Sequence, residues 1–270
     1  MLQLFDTHCH FDFLAPPDQW AVLRHDCAGA GVKAMLVPGV SPSQWPRTIV
    51  ASRLSLLSTT APAAAMSADL TSPDGTSSIY AAVGLHPCYL NETDSPATPA
   101  ALVALLEKAI GENSPIIAIG ECGLDGMIDT PIARQLPFFE AQLALAAEKN
   151  LPVIIHARRC HNEMLRCLKC FRLERGGIIH AFSGSLETAQ QYIRHGFMLG
   201  VGGTITYERA SKTRNAVAKL PLESLVLETD APDMPLAGHQ GEPNSPLFLP
   251  QIAAALAAAD AVPVAIPLDP

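Results

Sequence analysis

Eight short apolar runs alternate with helical stretches along almost the whole chain, and few folds accept that order. The runs fall at residues 2–5, 33–40, 80–85, 116–120, 152–155, 176–179, 197–201 and 225–227. Between and after them, the spacing predicts helices over 18–30, 43–57, 99–110, 133–150, 160–173, 186–195, 210–220 and 247–259. Continuous apolar strands are covered on both faces, which means a parallel sheet wrapped by helices. Eight such units within 270 residues predict an α/β chain folded as a (β/α)8 TIM barrel. An open doubly wound sheet is the competitor. It usually carries a Gly-rich phosphate turn after its first strand, and here that place holds Asp6-Thr7-His8-Cys9-His10.

Two segments stand outside the pattern. Residues 58–78 are rich in Ser, Thr, Ala and Pro without periodicity and read as a surface insertion. Residues 261–270 are Pro-rich and read as an irregular tail. The remainder of 1–270 is expected to form one barrel domain. At 49% hydrophobic and 16% charged residues the chain is globular. Its net charge of −8 excludes a long-range basic field, so any nucleic-acid contact must come from local groups or bound cations. Seven cysteines, odd in number and without disulfide spacing, suit a reducing cytosol. No signal peptide precedes the first strand, and no apolar run reaches the roughly 20 residues that span a bilayer. The expectation is a soluble cytoplasmic protein with no membrane contact and no stable protein partner.

The strand ends carry the chemistry. The first run leads into His8 and His10, the fourth into Glu121, the fifth into His156, the sixth into His180 and the eighth into Asp230. On an extended strand His8 and His10 share one face, and Cys9 points away into packing. In a barrel all strand C-termini face one mouth, so these residues converge across more than 200 positions of sequence. Six nitrogen and oxygen donors are too many for one tetrahedral ion and suit two ions that share a carboxylate. Glu121 is the expected bridge. His8, His10 and Asp230 hold one ion, and His156 and His180 the other. The absence of thiols from the set suits Zn²⁺, Mn²⁺, Mg²⁺, Ni²⁺ or Co²⁺. Two ions about 3.5–4 Å apart lower the pKa of a bridging water, and Asp230 takes its proton as the metal-bound hydroxide attacks. Asp230 and Glu121 are therefore the expected catalytic residues of a hydrolase. Asp6 is expected to share the inward face with His8 and His10, either orienting an imidazole or closing the strand.

Groups suited to anions surround this mouth. They are His86, then Arg158, Arg159 and His161, then Ser183 and Gly184, then Tyr207, Arg209, Lys212 and Arg214. His86, Arg158, His161, Ser183 and Tyr207 are the expected substrate contacts. Cys167 and Cys170 form a Cys-x-x-Cys pair, but they lie within a helical stretch with no second pair, which reads as structural.

Several of these segments recur together in a known family. Phe5-Asp6-Thr7-His8-Cys9-His10, Gly84-Leu85-His86-Pro87, Gly120-Glu121-Cys122-Gly123-Leu124-Asp125, Pro152-Val153-Ile154-Ile155-His156, His180-Ala181-Phe182-Ser183-Gly184 and Leu227-Glu228-Thr229-Asp230-Ala231-Pro232 together resemble the TatD family of metal-dependent deoxyribonucleases. The run from Gly200 to Tyr207 and the later Glu242-Pro243-Asn244 look most like its YjjV-type branch. The resemblance spans residues 2 to about 250. It implies an amidohydrolase-like TIM barrel, two divalent ions, hydrolysis of DNA phosphodiesters, and ligands at His8, His10, Glu121, His156, His180 and Asp230. The alternative is an amidohydrolase cleaving a C–N or ester bond in a small molecule. Many of those bridge their ions with a carbamoylated lysine on the fourth strand, where this chain has Glu121 and no lysine.

Overall fold

The computed structural model describes residues 3–54, 75–112 and 116–260. Strands β1 (Leu4–Asp6), β2 (Val32–Gly39), β3 (Ser78–Val83), β4 (Ile116–Asp125), β5 (Val153–Arg158), β6 (Gly177–Ile179), β7 (Phe197–Val201) and β8 (Leu225–Leu227) lie in that order in one sheet, each parallel to the next. Helices fill the connections: α1 (Phe11–Leu14), α2 (Trp20–Gly29), α3 (Trp45–Arg53), α4 (Pro99–Glu112), α5 (Ile132–Lys149), α6 (His161–Leu168), α7 (Leu186–Arg194), α8 (Ser211–Val217) and α9 (Leu249–Asp260). This is the expected TIM barrel.

Alternation along each strand separates two apolar layers. One set, Leu36, Ala82, Ala118 and Ile154, forms a small cluster with Phe5, Tyr80 and Ile178 and fills the barrel interior. The residues out of phase with them, among them Met35, Val37, Val83, Ile119, Val153 and Ile155, join the larger cluster under the helices. α5 contributes Phe138, Phe139 and Leu143 to that layer and ends where Asn150 turns left-handed at φ 51°. Two of its glutamines reach into the barrel wall. Gln142 Oε1 accepts the Leu85 N–H at 2.8 Å, and Gln135 Oε1 accepts the Asp125 N–H at 2.8 Å. A helix otherwise engaged in apolar packing thus fixes the chain just after β3 and the end of β4, where the mouth begins.

The sequence reading and the structure differ at several borders. β4 runs past the expected end at Gly120 to Asp125, and β5 runs past His156 to Arg158. β1 stops at Asp6, so His8 and His10 sit in the connection to α1 and converge there without an extended strand beneath them. Residues 55–74, most of the expected insertion, and the expected tail at 261–270 lie outside the described residues. Ser78, read as the end of that insertion, is the first residue of β3. α6 ends at Leu168, so Cys170 falls beyond it, and both Cys167 and Cys170 are free thiols. Cys9 is fully buried in the outer apolar layer. Among the described residues, no helix is long and apolar enough to cross a membrane.

Isolated backbone bonds and side chains close the barrel seam. Among the described residues no ladder pairs β1 with β8. Thr7 donates its N–H and its hydroxyl to the Leu227 carbonyl, both at 3.0 Å, and the Asp230 N–H reaches the His8 carbonyl at 2.8 Å. Thr229 donates its N–H at 2.9 Å and its hydroxyl at 2.6 Å to the Asp6 carboxyl. Asp6 therefore turns to the seam, not into the mouth beside His8 and His10 as the strand period suggests. Burial pushes its carboxyl up to about 8, against the downward pull of the Thr229 hydrogen bonds. Between the ordinary value of 3.8 and about 8, the folded chain holds a proton that the unfolded chain has released. Stability from this group is thus present at low pH and is lost as pH rises through that window. Asp6→Asn should keep the seam and flatten this dependence, as read by urea unfolding from pH 4 to 8. Asp6→Ala should lower stability by about 1–3 kcal/mol, because it strands the Thr229 donors.

Candidate metal centre

The site begins with a close approach of two strands. A Cβ at Gly123 would lie 2.0 Å from the His156 carbonyl oxygen, so only glycine lets β4 lie this near β5. Gly123 also adopts φ 150°, a region that side chains avoid. This proximity sets Glu121 Oε1 3.2 Å from His156 Nδ1. Glu121 is only 3% exposed. Its Oε1 also faces His86 Nε2 at 3.4 Å, and its Oε2 faces His8 Nε2 at 3.2 Å and His10 Nε2 at 3.8 Å. One buried carboxylate thus lies between two pairs of imidazoles.

Asp230 closes the cluster from β8. It takes a left-handed φ of 59°, which Asp tolerates better than most residues. Its Oδ1 lies 3.5 Å from His8 Nε2 and 3.7 Å from His10 Nε2, and its Oδ2 lies 3.6 Å from His180 Nε2. The His8 and His180 rings stack with centroids 3.6 Å apart. The structure therefore brings His8, His10, Glu121, His156, His180 and Asp230 together at one mouth.

Two further carboxylates decide which ring nitrogens face the centre. Asp125 Oδ2 is 2.9 Å from His156 Nε2, which leaves His156 Nδ1 toward Glu121. Glu228 Oε1 is 3.1 Å from His180 Nδ1, which leaves His180 Nε2 toward Asp230. An imidazole whose outer N–H is held by a carboxylate presents its other nitrogen as a donor to a cation. His86 is arranged the opposite way. Its Nδ1 accepts the Cys88 N–H at 3.2 Å, so its proton sits on Nε2 and points at Glu121. His86 is a hydrogen-bond donor here, not a lone pair.

The electrostatics follow from this packing. Burial raises the Glu121 carboxyl, but the nearby His86 and His8 imidazoles outweigh it and hold the group well below the usual carboxylate range. Burial pushes His86 down to about 3 and lowers His8 as well. Burial also disfavours charge on His180, yet Glu228 and Asp230 raise it to about 10. His156 is raised by its hydrogen bonds to Asp125 and Glu121, against burial.

This residue set fits divalent cations. Two groups have one donor atom per residue, all within 4.8 Å of one another, His8–His10–Glu121 and His8–His180–Glu228; a third by distance, His86–Glu121–His156, includes the protonated Nε2 of His86 and so lacks a lone pair there. His8 Nε2 and Nδ1 and His10 Nδ1 are buried and make no hydrogen bond, although His8 Nε2 lies close to two carboxylates. Buried polar atoms left unpaired next to carboxylates favour a cation between them.

The expected substrate contacts divide. His86 belongs to the cluster itself. Arg158 is exposed and approaches Asp125 Oδ2 at 3.9 Å. Both nitrogens of His161 are engaged, Nδ1 with the Tyr192 hydroxyl at 2.9 Å and Nε2 with the Ser183 carbonyl at 3.1 Å. Ser183 is exposed on the loop that His161 holds. Tyr207 donates its hydroxyl to the Pro235 carbonyl at 2.8 Å. The sequence reading passed over Asp125, Glu228 and Phe13. Asp125 and Glu228 each stand an even number of residues from a candidate ligand, at the same strand end, and that period was the available signal. Gly200 makes the room for Glu228, because a Cβ there would lie 2.2 Å from Glu228 Oε2. Phe13 is 45% exposed and stacks on His10 with centroids 5.7 Å apart; no periodicity marks it.

Comparison with known proteins places this geometry in a family. Residues 5–266 match the family model described as TatD related DNase. The metal-dependent hydrolase YjjV of Escherichia coli K12, named as uncharacterized, is 43% identical over 248 residues, which are 90% of this chain and 85% of the relative. The crystal structure of that TatD homolog superposes with a TM-score of 0.79 at 39% identity, covering 95% of this chain and 90% of the other. A protein of Klebsiella pneumoniae strain 342, named 3'-5' ssDNA/RNA exonuclease TatD, is 36% identical over 190 residues, covering 67% of this chain and 69% of the relative. A family match over nearly the whole chain, on the same barrel, shows that the chain belongs to the TatD-related DNase family.

Proposed function

We propose that this protein is a metal-dependent hydrolase that cleaves phosphodiester bonds of nucleic acid, DNA foremost, at or near a strand end. The observation that carries this reading is the Glu121 carboxylate, buried with each oxygen facing imidazole nitrogens. The names of the relatives support it: one is a metal-dependent hydrolase and another a single-strand exonuclease. The absence of lysine from Ile116–Asp125 weighs against the carbamoyl-lysine route to C–N hydrolysis.

In this reading His8, His10 and Asp230 would hold one divalent ion and His156 and His180 a second, with Glu121 available to both. When bound, such ions polarise the oxygens of a phosphodiester and make water a nucleophile near neutral pH. The chain's own residues do the rest. The Asp125 carboxylate holds the outer N–H of His156, and the Glu228 carboxylate lies 3.1 Å from the outer nitrogen of His180 as an ion-pair contact, so the inner nitrogens face the centre. Asp230 stands at the rim of the cluster and accepts the proton released by the attacking water. His86 keeps its proton on Nε2 and, being neutral, donates to an oxygen of Glu121 or of the substrate. Phe13 offers an aromatic face beside His10 on which a terminal base stacks.

Bis(p-nitrophenyl) phosphate and a dihydropyrimidine-type amide, tested side by side on purified protein, separate the two hydrolytic readings. Turnover of the amide without the phosphodiester contradicts the proposal. Glu121→Ala should lose bound metal and phosphodiester turnover together, with an unchanged circular dichroism spectrum. Full metal content in that variant would remove Glu121 from the bridge. Phe13→Ala should weaken single-stranded oligonucleotide binding by about 1–3 kcal/mol, read as a rise in KM with kcat retained. Turnover of bis(p-nitrophenyl) phosphate, which has no base to stack, should hold.

A further inference from the structure

A cleft of about 470 Å³ opens beside the cluster, walled by Arg159, Ser183, Ser185, Thr188, Arg209 and Lys212 among others. Its walls are the continuations of β5 and β6, which lead into or carry candidate ligands, and of β7 beside them. Arg159 follows β5 three residues after His156, and Ser183 follows β6 three residues after His180. Arg209 and Lys212 come from the connection after β7 and from α8. The cleft therefore sits on the mouth face, next to the site already described.

Its charge is opposite to that of the protein. The chain carries a net charge of −8, yet three cations line this cleft, and the one carboxylate at its edge, Glu187, bonds Ser185 and is held low in part by Lys212. Among the described residues, none of Arg159, Arg209 and Lys212 has a carboxylate within ion-pair distance. The neighbouring Arg158 does, in Asp125, and Arg172 does, in Glu174. A merely solvated set of surface cations would lie among acids on a convex face; these three line a concavity with hydroxyl groups between them. Arg209 is steadied with its guanidinium 4.8 Å from the centre of the Tyr207 ring, which leaves its N–H groups for a ligand. The opposite wall is also built. His161 ties the Ser183 carbonyl to Tyr192, and Ser185 Oγ caps α7 by accepting the Thr188 N–H at 3.2 Å. The volume lies within the range of small-ligand sites, roughly 300–1,000 Å³.

We infer that this cleft is a second anion subsite, which holds a backbone phosphate of the nucleic-acid strand some distance from the bond being cleaved. The inference rests on the phosphodiesterase reading above and adds to it a direction: the strand leaves the cluster over the β5, β6 and β7 connections. A phosphate could also come from a free nucleotide or from inorganic phosphate, and the test separates these sources.

The experiment measures binding to the intact protein of a fluorescently labelled ten-residue oligothymidylate with uncleavable phosphorothioate linkages, across a salt series. Competition by thymidine monophosphate and by inorganic phosphate is measured in parallel. Arg209→Ala/Lys212→Ala should raise the Kd for the oligonucleotide tenfold or more. It should also flatten the log–log salt dependence by about 0.7, the slope for one lost phosphate contact on a single strand. Arg209→Gln/Lys212→Gln, which keeps side-chain bulk, should behave the same way. Lys108→Ala/Lys169→Ala removes the same charge from α4 and from the end of α6, away from the mouth, and should change neither quantity. Equal weakening by this control, or no weakening by the cleft variants, overturns the subsite. So does an equal loss of affinity for thymidine monophosphate or inorganic phosphate, which marks a free-anion site instead. Failure of the hydrolytic reading shows separately, as absence of bis(p-nitrophenyl) phosphate turnover by the unaltered protein.

Discussion

Glu121 is a carboxylate taken out of water and surrounded by imidazoles, and the rest of the mouth is arranged around that fact. An ion of its size moved into the interior is destabilised by several kcal/mol unless charge or hydrogen bonds offset it. Four histidines, from the connections after β1 and β3 and from β5, approach its two oxygens, and burial leaves at least two of them, His8 and His86, with a weakened hold on a proton. Cations in the same place satisfy the carboxylate and the unpaired ring nitrogens together.

The scaffold earns its shape by placing that group. Gly123 lets β4 press against β5, Gln135 on α5 fixes the Asp125 backbone, and Asp125 in turn orients His156. On the far side Gly200 opens space for Glu228, which orients His180 and accepts the Ala181 N–H. Asp6 and Thr229 help close the barrel where, among the described residues, no ladder does, and the same segment delivers Asp230. A chain of short contacts thus runs from the seam through the carboxylates to the ring nitrogens, and each contact restricts one rotation at the centre.

Much of this was legible in the sequence, for physical reasons. Apolar strands and amphipathic helices have different periods, so their alternation reads directly as a barrel. An acid or imidazole at the end of an apolar run stands out, which is why the six candidate ligands could be named. What resisted reading depends on contacts across the fold. Gly120 and Gly123 look like strand breakers, but in the structure they permit a close approach, so β4 and the role of Asp125 were cut short. The Asp6 carboxyl faces Thr229, 223 residues away in sequence, and no local period could aim it there. His86 looks like another anion contact. Only its bond to the Cys88 N–H shows which nitrogen keeps the proton.

The central claim is that Glu121 lies between two cations. Metal content per chain, measured by inductively coupled plasma mass spectrometry on protein purified without chelator and supplied with divalent salts, tests it most directly. Two equivalents of divalent metal per chain are expected. One equivalent, or none, would contradict it.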